Sequence, residues 1–159
     1  MKPKLTFLLS LLFLFLFGGT VYGSDLQEGW HAYKNNDYKK AYKLWLPLAE
    51  HGNVTAQYNL GHMYEKGKGV PQDYKEAVRL YRLSAEQGDV DAQLQLGVSY
   101  GMGRGVPKDY ALAHMWWNLS GSNGNKEAAE NRDIVETKMT PQQIEKAQEM
   151  AKNWKLTKK

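Results

Sequence analysis

Few residues in this chain have the type and spacing that chemistry requires. Its four histidines are His31, His51, His62 and His114, and no two lie three or four residues apart. A helical zinc site uses such pairs, as in His-Glu-x-x-His, because that spacing aims two ring nitrogens at one point. No metal site is therefore expected, and the histidines are assigned to the surface or to a groove. Cysteine is absent. That excludes a thiolate nucleophile, a disulfide and a cysteine-ligated metal. There is no Gly-x-Ser-x-Gly elbow and no phosphate loop. Gly101-x-Gly103-x-Gly105 is rich in glycine, but it follows a helical pattern rather than a strand and recurs as Gly67-x-Gly69. It reads as a connection between helices. Trp116-Trp117 remains as a candidate ligand platform. No catalytic residue and no cofactor are expected.

The elements that carry these residues repeat. Asn53–Gly88 and Asp89–Gly124 align without a gap, and sixteen of their 36 positions are identical, among them Ala56/Ala92, Leu60/Leu96, Gly61/Gly97, Tyr64/Tyr100, Asp73/Asp109 and Ala77/Ala113. A fixed period of this size marks stacked units that bury one another's faces. The register decides the tryptophan question. Trp117 aligns with Tyr81 and Trp45, and Trp116 with Leu80 and Leu44, so both read as core.

Each unit predicts two helices. Ala56, Leu60 and Tyr64 form one stripe at helical spacing. Gly61 costs that helix about 1 kcal/mol against alanine, and its return as Gly97 predicts close approach of the partner helix. Gly67-Lys68-Gly69-Val70-Pro71 is a loop. Asp73 predicts an N-cap, with Glu76 completing a capping box. Ala77, Leu80, Tyr81 and Ser84 face inward, and Gly88 ends the helix in the left-handed region. The pattern Ala56-x-x-x-Leu60-Gly61-x-x-Tyr64-x-x-Gly67-x-Gly69-Val70-x-x-Asp73-x-x-x-Ala77, closed by Gly88, resembles the Sel-one-like repeat family, a relative of the tetratricopeptide repeat. The resemblance covers residues 26–155. It implies an all-α, right-handed solenoid of about four antiparallel helix pairs, an adaptor role and no catalytic site.

The flanks vary the unit. In residues 24–52, Asp37, Tyr38, Ala41, Trp45, Ala49 and Gly52 keep the register, but Gly29 and Ala41 are four residues closer than Gly61 and Ala77. This segment is expected to cap the N-terminal end, with Pro47 kinking its second helix. Residues 125–159 read as C-terminal capping helices. There the register decays, with Arg132, Asp133 and Glu136 where leucine, glycine and tyrosine stood. Thr140-Pro141-Gln142-Gln143 starts a last helix whose face of Ile144, Ala147, Met150, Ala151 and Trp154 should close the stack. Lys155, Lys158 and Lys159 suit its negative end.

Residues 1–23 have the layout of a secretory signal: Lys2 and Lys4, then the apolar run Leu5–Phe17, then a small-residue stretch with Val21 and Gly23 placed for cleavage after Gly23. A spanning helix needs about 20 apolar residues, so retention as an anchor is the alternative. The mature domain, residues 24–159, is expected in the periplasm or outside the cell, with no membrane span. Net charge is +4, and two of the lysines lie in the signal. That balance argues against nucleic acid.

The tetratricopeptide resemblance implies that first helices line a concave face. Carried over, it assigns Trp30, Tyr33 and Lys34, then Thr55, Tyr58, His62, Glu65 and Lys66, then Asp91, Leu94, Val98 and Met102 to a groove for a protein or peptide partner. These positions vary while the packing positions repeat. The alternatives are a β-lactam-binding or β-lactam-hydrolysing enzyme, as in cysteine-rich relatives, which the absence of cysteine disfavours, and a self-associating structural solenoid.

Overall fold

Recurring Asx residues set the helix starts. In a computed structural model that describes residues 23–157, Asn53, Asp89 and Asn125 accept hydrogen bonds from the backbone N–H of Ala56, Ala92 and Ala128 at 2.9, 2.7 and 2.9 Å. Short side-chain oxygens satisfy first-turn donors that no helix can satisfy itself. The helices are α1 over residues 23–34, α2 Tyr38–Glu50, α3 Val54–Lys66, α4 Tyr74–Glu86, α5 Val90–Met102, α6 Tyr110–Ser122, α7 Lys126–Glu136 and α8 Pro141–Thr157. No strand occurs among the described residues. The chain is an all-α solenoid of helix pairs. None of the described helices is long and apolar enough to cross a membrane. Residues 1–22, Lys158 and Lys159 lie outside the described residues, as do the signal read there and the Lys155 side chain.

Three pairs, α1 with α2, α3 with α4 and α5 with α6, are each held by an aromatic ring seated on a glycine. A Cβ placed on Gly29 would lie 2.3 Å from the Trp45 indole, on Gly61 2.8 Å from the Tyr81 ring, and on Gly97 2.4 Å from the Trp117 indole. Every other residue type would push the ring out. Ser84 and Ser120 donate across the same pairs to Val54 O and Val90 O. Between units, Gln57 and Gln93 donate to the carbonyls of Ala49 and Ala85 in the last turns of α2 and α4, which also accept from the N–H of Gly52 and Gly88. The loop glycine Gly105, at φ +73°, approaches Tyr74 so closely that a Cβ would lie 2.2 Å from its carbonyl oxygen. Leu60 and Leu96 are fully buried. The helix α2 continues through Pro47 to Glu50.

One expectation changes. Asp73 does cap α4, but Glu76 does not close a box. The Asp73 N–H is taken by Tyr64 O at 3.0 Å, as that of Asp109 is by Tyr100 O, so a tertiary bond has removed the donor. Glu76 instead holds Arg79 through both oxygens at 2.8 and 2.6 Å. At Thr140 the box does form, with reciprocal bonds to Gln143 of 2.8 and 3.3 Å. At the C-terminus the face expected to close the stack does so against α6. Ala147 and Ala151 are buried, and Trp154 meets Trp116 edge to face at 5.0 Å.

Candidate functional site

On the face built by the first helices, α1 and α3 open a small aromatic cleft. Its walls are Trp30, Tyr33, Trp45, Tyr58, Asn59 and His62, and it encloses about 130 Å³. Pockets for cofactors and small ligands run to about 300–1,000 Å³. This cleft takes a single side chain. Trp30 and Tyr33, one turn apart on α1, lie parallel with ring centroids 5.9 Å apart. Tyr33 also meets Trp45 at 5.8 Å and His62 at 6.1 Å. Lys34 lies over the Trp30 ring at 5.1 Å, and Lys68 over Tyr33 at 5.0 Å and Tyr38 at 5.2 Å, so the lysines already hold the electron-rich ring faces.

The polar groups are spoken for. Lys68 Nζ donates to the Tyr33 hydroxyl oxygen at 3.1 Å, which leaves the hydroxyl hydrogen available for His62 Nδ1, also at 3.1 Å. Burial lowers the basicity of His62; Glu65 opposes this, while Lys66 and Lys68 reinforce it. Burial raises the Glu65 carboxyl, but hydrogen bonds from Lys66 and the Tyr81 hydroxyl, at 2.8 and 2.7 Å, outweigh it and hold the group below its ordinary range. The Tyr58 phenol is pushed up to about 12 by burial first, then by the carboxylates of Asp91, Asp89, Glu65 and Glu127. Around neutral pH His62 is therefore neutral, Glu65 charged and the Tyr58 phenol protonated. Among the described residues, no group of three or more His, Asp and Glu side chains could hold a metal ion.

The structure brings Trp30, Tyr33, Tyr58 and His62 together at the cleft and sets Glu65 beside it. Lys34, Thr55, Lys66 and Asp91 are exposed around that face, and Met102 is 61% exposed on α5. Val98 is half-buried against the core. Leu94 departs from its assignment to the groove: it is 5% exposed and belongs to the core that also holds Ala128 of α7. The helix α7 packs on α5 and α6, so the neighbouring unit draws that leucine inward. His114 departs too. It is fully buried, and Nε2 meets Glu136 Oε1 at 2.7 Å, whereas His31 and His51 are exposed and His62 lines the cleft. Trp116 and Trp117 are buried, as their register requires. Sequence reasoning missed Lys68, which reaches the cleft from the glycine loop, where no helical periodicity indicates a face.

The family model described as the Sel1 repeat matches residues 23–53, 54–89 and 90–125. None of the curated proteins matches the sequence. Among solved structures, the chain is similar to a protective antigen present in uropathogenic Escherichia coli strains that displays an SLR fold, at 34% identity and a TM-score of 0.80, over 84% of this chain and 29% of that one. It is also similar to a Sel1 repeat protein from Oxalobacter formigenes, at 29% identity and a TM-score of 0.66, over 69% of this chain and 45% of that one. The chain thus spans less than half the length of either.

Proposed function

The chain belongs to the Sel1 repeat family, whose repeats generally serve as protein-interaction scaffolds, and from that premise we propose that it is a non-enzymatic adaptor that holds a partner protein or peptide on the face of its first helices. One observation carries the reading: a side-chain-sized aromatic cleft stands on that face, with Trp30 44% exposed at its edge. A rigid frame of repeated packing residues presents side chains that differ from unit to unit. Large amphipathic rings in a concave site are how peptide grooves anchor a residue of their partner. The ionisable groups at the cleft are already bonded within the fold, Tyr33 to His62 and Lys68, and Glu65 to Lys66 and Tyr81, which fits binding rather than turnover.

The test is Trp30→Ala combined with Tyr58→Ala. Helical content by circular dichroism should be unchanged, and affinity capture of partner proteins from the native envelope fraction should fall. Undiminished capture by the folded double variant refutes the assigned face. We also propose that the adaptor works outside the cytoplasm, on the strength of the signal-like residues 1–23. N-terminal sequencing of the protein from fractionated cells should then begin at Ser24; a start at Met1 in the membrane fraction means the segment is retained as an anchor, and a start at Met1 in the cytoplasmic fraction overturns the assignment.

A further inference from the structure

Three polar groups at the cleft stand in line. Lys68 Nζ lies 3.1 Å from the Tyr33 hydroxyl oxygen, and that oxygen lies 3.1 Å from His62 Nδ1. A lysine ammonium has donors and no acceptor, so the tyrosine oxygen accepts from it and donates its own hydrogen to Nδ1. A neutral imidazole carries a single N–H. With Nδ1 accepting, that N–H sits on Nε2. Burial favours the neutral ring. Among the described residues Nε2 has no hydrogen-bond partner, and it is not sealed from solvent. A free donor with a fixed proton therefore stands on the wall of the cleft.

Repeat packing does not require this arrangement. One unit on, Tyr33, Trp45, Tyr58 and His62 are replaced in register by Glu65, Tyr81, Leu94 and Val98. There the Tyr81 hydroxyl is taken by Glu65 at 2.7 Å, Leu94 is buried in the core, and valine has nothing to donate. The loop cation has a shared task as well: Arg104, in the register of Lys68, lies over the Tyr74 ring as Lys68 lies over Tyr38. The bond from Lys68 to Tyr33 is additional to that shared contact, and it is the bond that orients the histidine.

Resting on the adaptor reading above, we infer that Lys68 and Tyr33 fix His62 as an Nε2–H donor, and that the cleft selects a tyrosine of the partner, its ring among the aromatic walls and its oxygen on Nε2. Rings pack edge to face or offset against walls such as Trp30 and Tyr58. A phenylalanine in the same place would leave the donor unpaired, and a site built to bond a hydroxyl discriminates against the analogue that lacks it. A carboxylate would be desolvated against a neutral donor, which costs more than burying an uncharged oxygen. Lys68 and Tyr33 are positioning residues here, since they act through His62.

Two measurements test the inference. Nitrogen-15 NMR of the imidazole rings at pH 8 should show His62 protonated at Nε2 and bare at Nδ1, and Tyr33→Phe should abolish that preference. Titrations with p-cresol and toluene, the tyrosine and phenylalanine side chains without their backbone, should both shift Trp30 and His62 resonances. The cresol should bind about fivefold more tightly, the range of one neutral hydrogen bond. In Tyr33→Phe and in His62→Leu, each checked for folding by circular dichroism, the ratio should fall close to one. A proton on Nδ1, equal affinities in the unaltered protein, or a ratio that survives both substitutions overturns the inference and leaves the adaptor reading standing. If neither probe shifts Trp30 or His62, the cleft takes no side chain and both readings fall.

Discussion

The third and fourth units start alike and finish differently. Both open on an Asx cap followed by a fully buried alanine, Asp89 with Ala92 and Asn125 with Ala128. In the third, Gly97 admits the Trp117 ring, and α6 lies against α5. In the fourth, Asp133 stands at the glycine position and Asn153 at the ring position. No ring can seat there, and α8 docks on α6 through Ala147, Ala151 and Trp154 instead. Pairing with the preceding helix goes with the glycine and the ring together, and where both are replaced the last helix docks on α6.

The comparison predicts its largest effect at the two tryptophans. Trp117→Ala should cost about 3–5 kcal/mol in chemical denaturation, the range for emptying a buried indole site. Trp154→Ala removes a half-buried ring from the edge of the stack and should cost about 1–2 kcal/mol. Hydrogen exchange should then speed up in α8 and leave α3 to α6 protected. Equal losses, or exchange spreading into α3, would mean that the last helix belongs to the same cooperative unit as the regular pairs.

A smaller effect tests the seat itself. Gly97→Ala places a Cβ 2.4 Å from the Trp117 indole, and overpacking of this kind costs about 1–3 kcal/mol even though alanine is the better helix former by about 1 kcal/mol. Asp133→Ala, at the aligned but seatless position, should stay within about 0.5 kcal/mol of the unaltered protein. Thermal melts of the two variants side by side give the answer, and a stabilised Gly97→Ala would sink the account of pairing.

How legible this was in the residues depended on the range of the forces involved. The seat was readable because Gly61 and Gly97 recur at a helix interior where glycine is unfavourable, and because Tyr81 and Trp117 recur with them. The caps were readable because they are local. What escaped notice was decided by elements distant in sequence. The box at Asp73 failed because Tyr64 O takes the donor. Leu94 and His114 look like variable surface in the alignment and are buried by the packing of α7. The cleft was half legible: its α1 and α3 members follow from helix faces, but Lys68 arrives from a loop.

His114 marks the same boundary between regular and terminal units. Its register partner Val78 is buried and apolar, whereas His114 bonds Glu136 across α6 and α7 and has no partner for Nδ1 among the described residues. Glu136 is 33% exposed and can be solvated when its partner is removed, whereas the fully buried His114 would be left with no hydrogen-bond partner. Glu136→Ala should therefore cost about 1–2 kcal/mol, while His114→Val should cost under about 1 kcal/mol. The order of the two denaturation midpoints is the readout. If His114→Val proves the more damaging, the hydrogen bond contributes net stability and is not a tolerated substitute for valine.

The smallest effect belongs to His62, the histidine that lines the cleft. Burial lowers its basicity in the folded chain, with Glu65 opposing and Lys66 and Lys68 reinforcing the shift. The unfolded chain, with an ordinary imidazole near 6.5, therefore takes up the proton first as pH falls. Over that interval the unfolded state binds more protons, and stability declines until the folded imidazole is protonated as well. Above the ordinary imidazole range the group contributes no slope. Melting temperatures of the unaltered protein and His62→Gln, compared from pH 8 to pH 5, should run parallel at the alkaline end. Below it the unaltered protein should fall faster, by the small margin expected of a half-buried group. Its donor Tyr33 sharpens the assignment: Tyr33→Phe removes the hydroxyl that meets Nδ1 and should make His62 easier to protonate in the folded state, flattening the difference. If the two curves stay parallel throughout, His62 is more freely solvated than its place in the cleft requires, and the cleft is more open than the one described here.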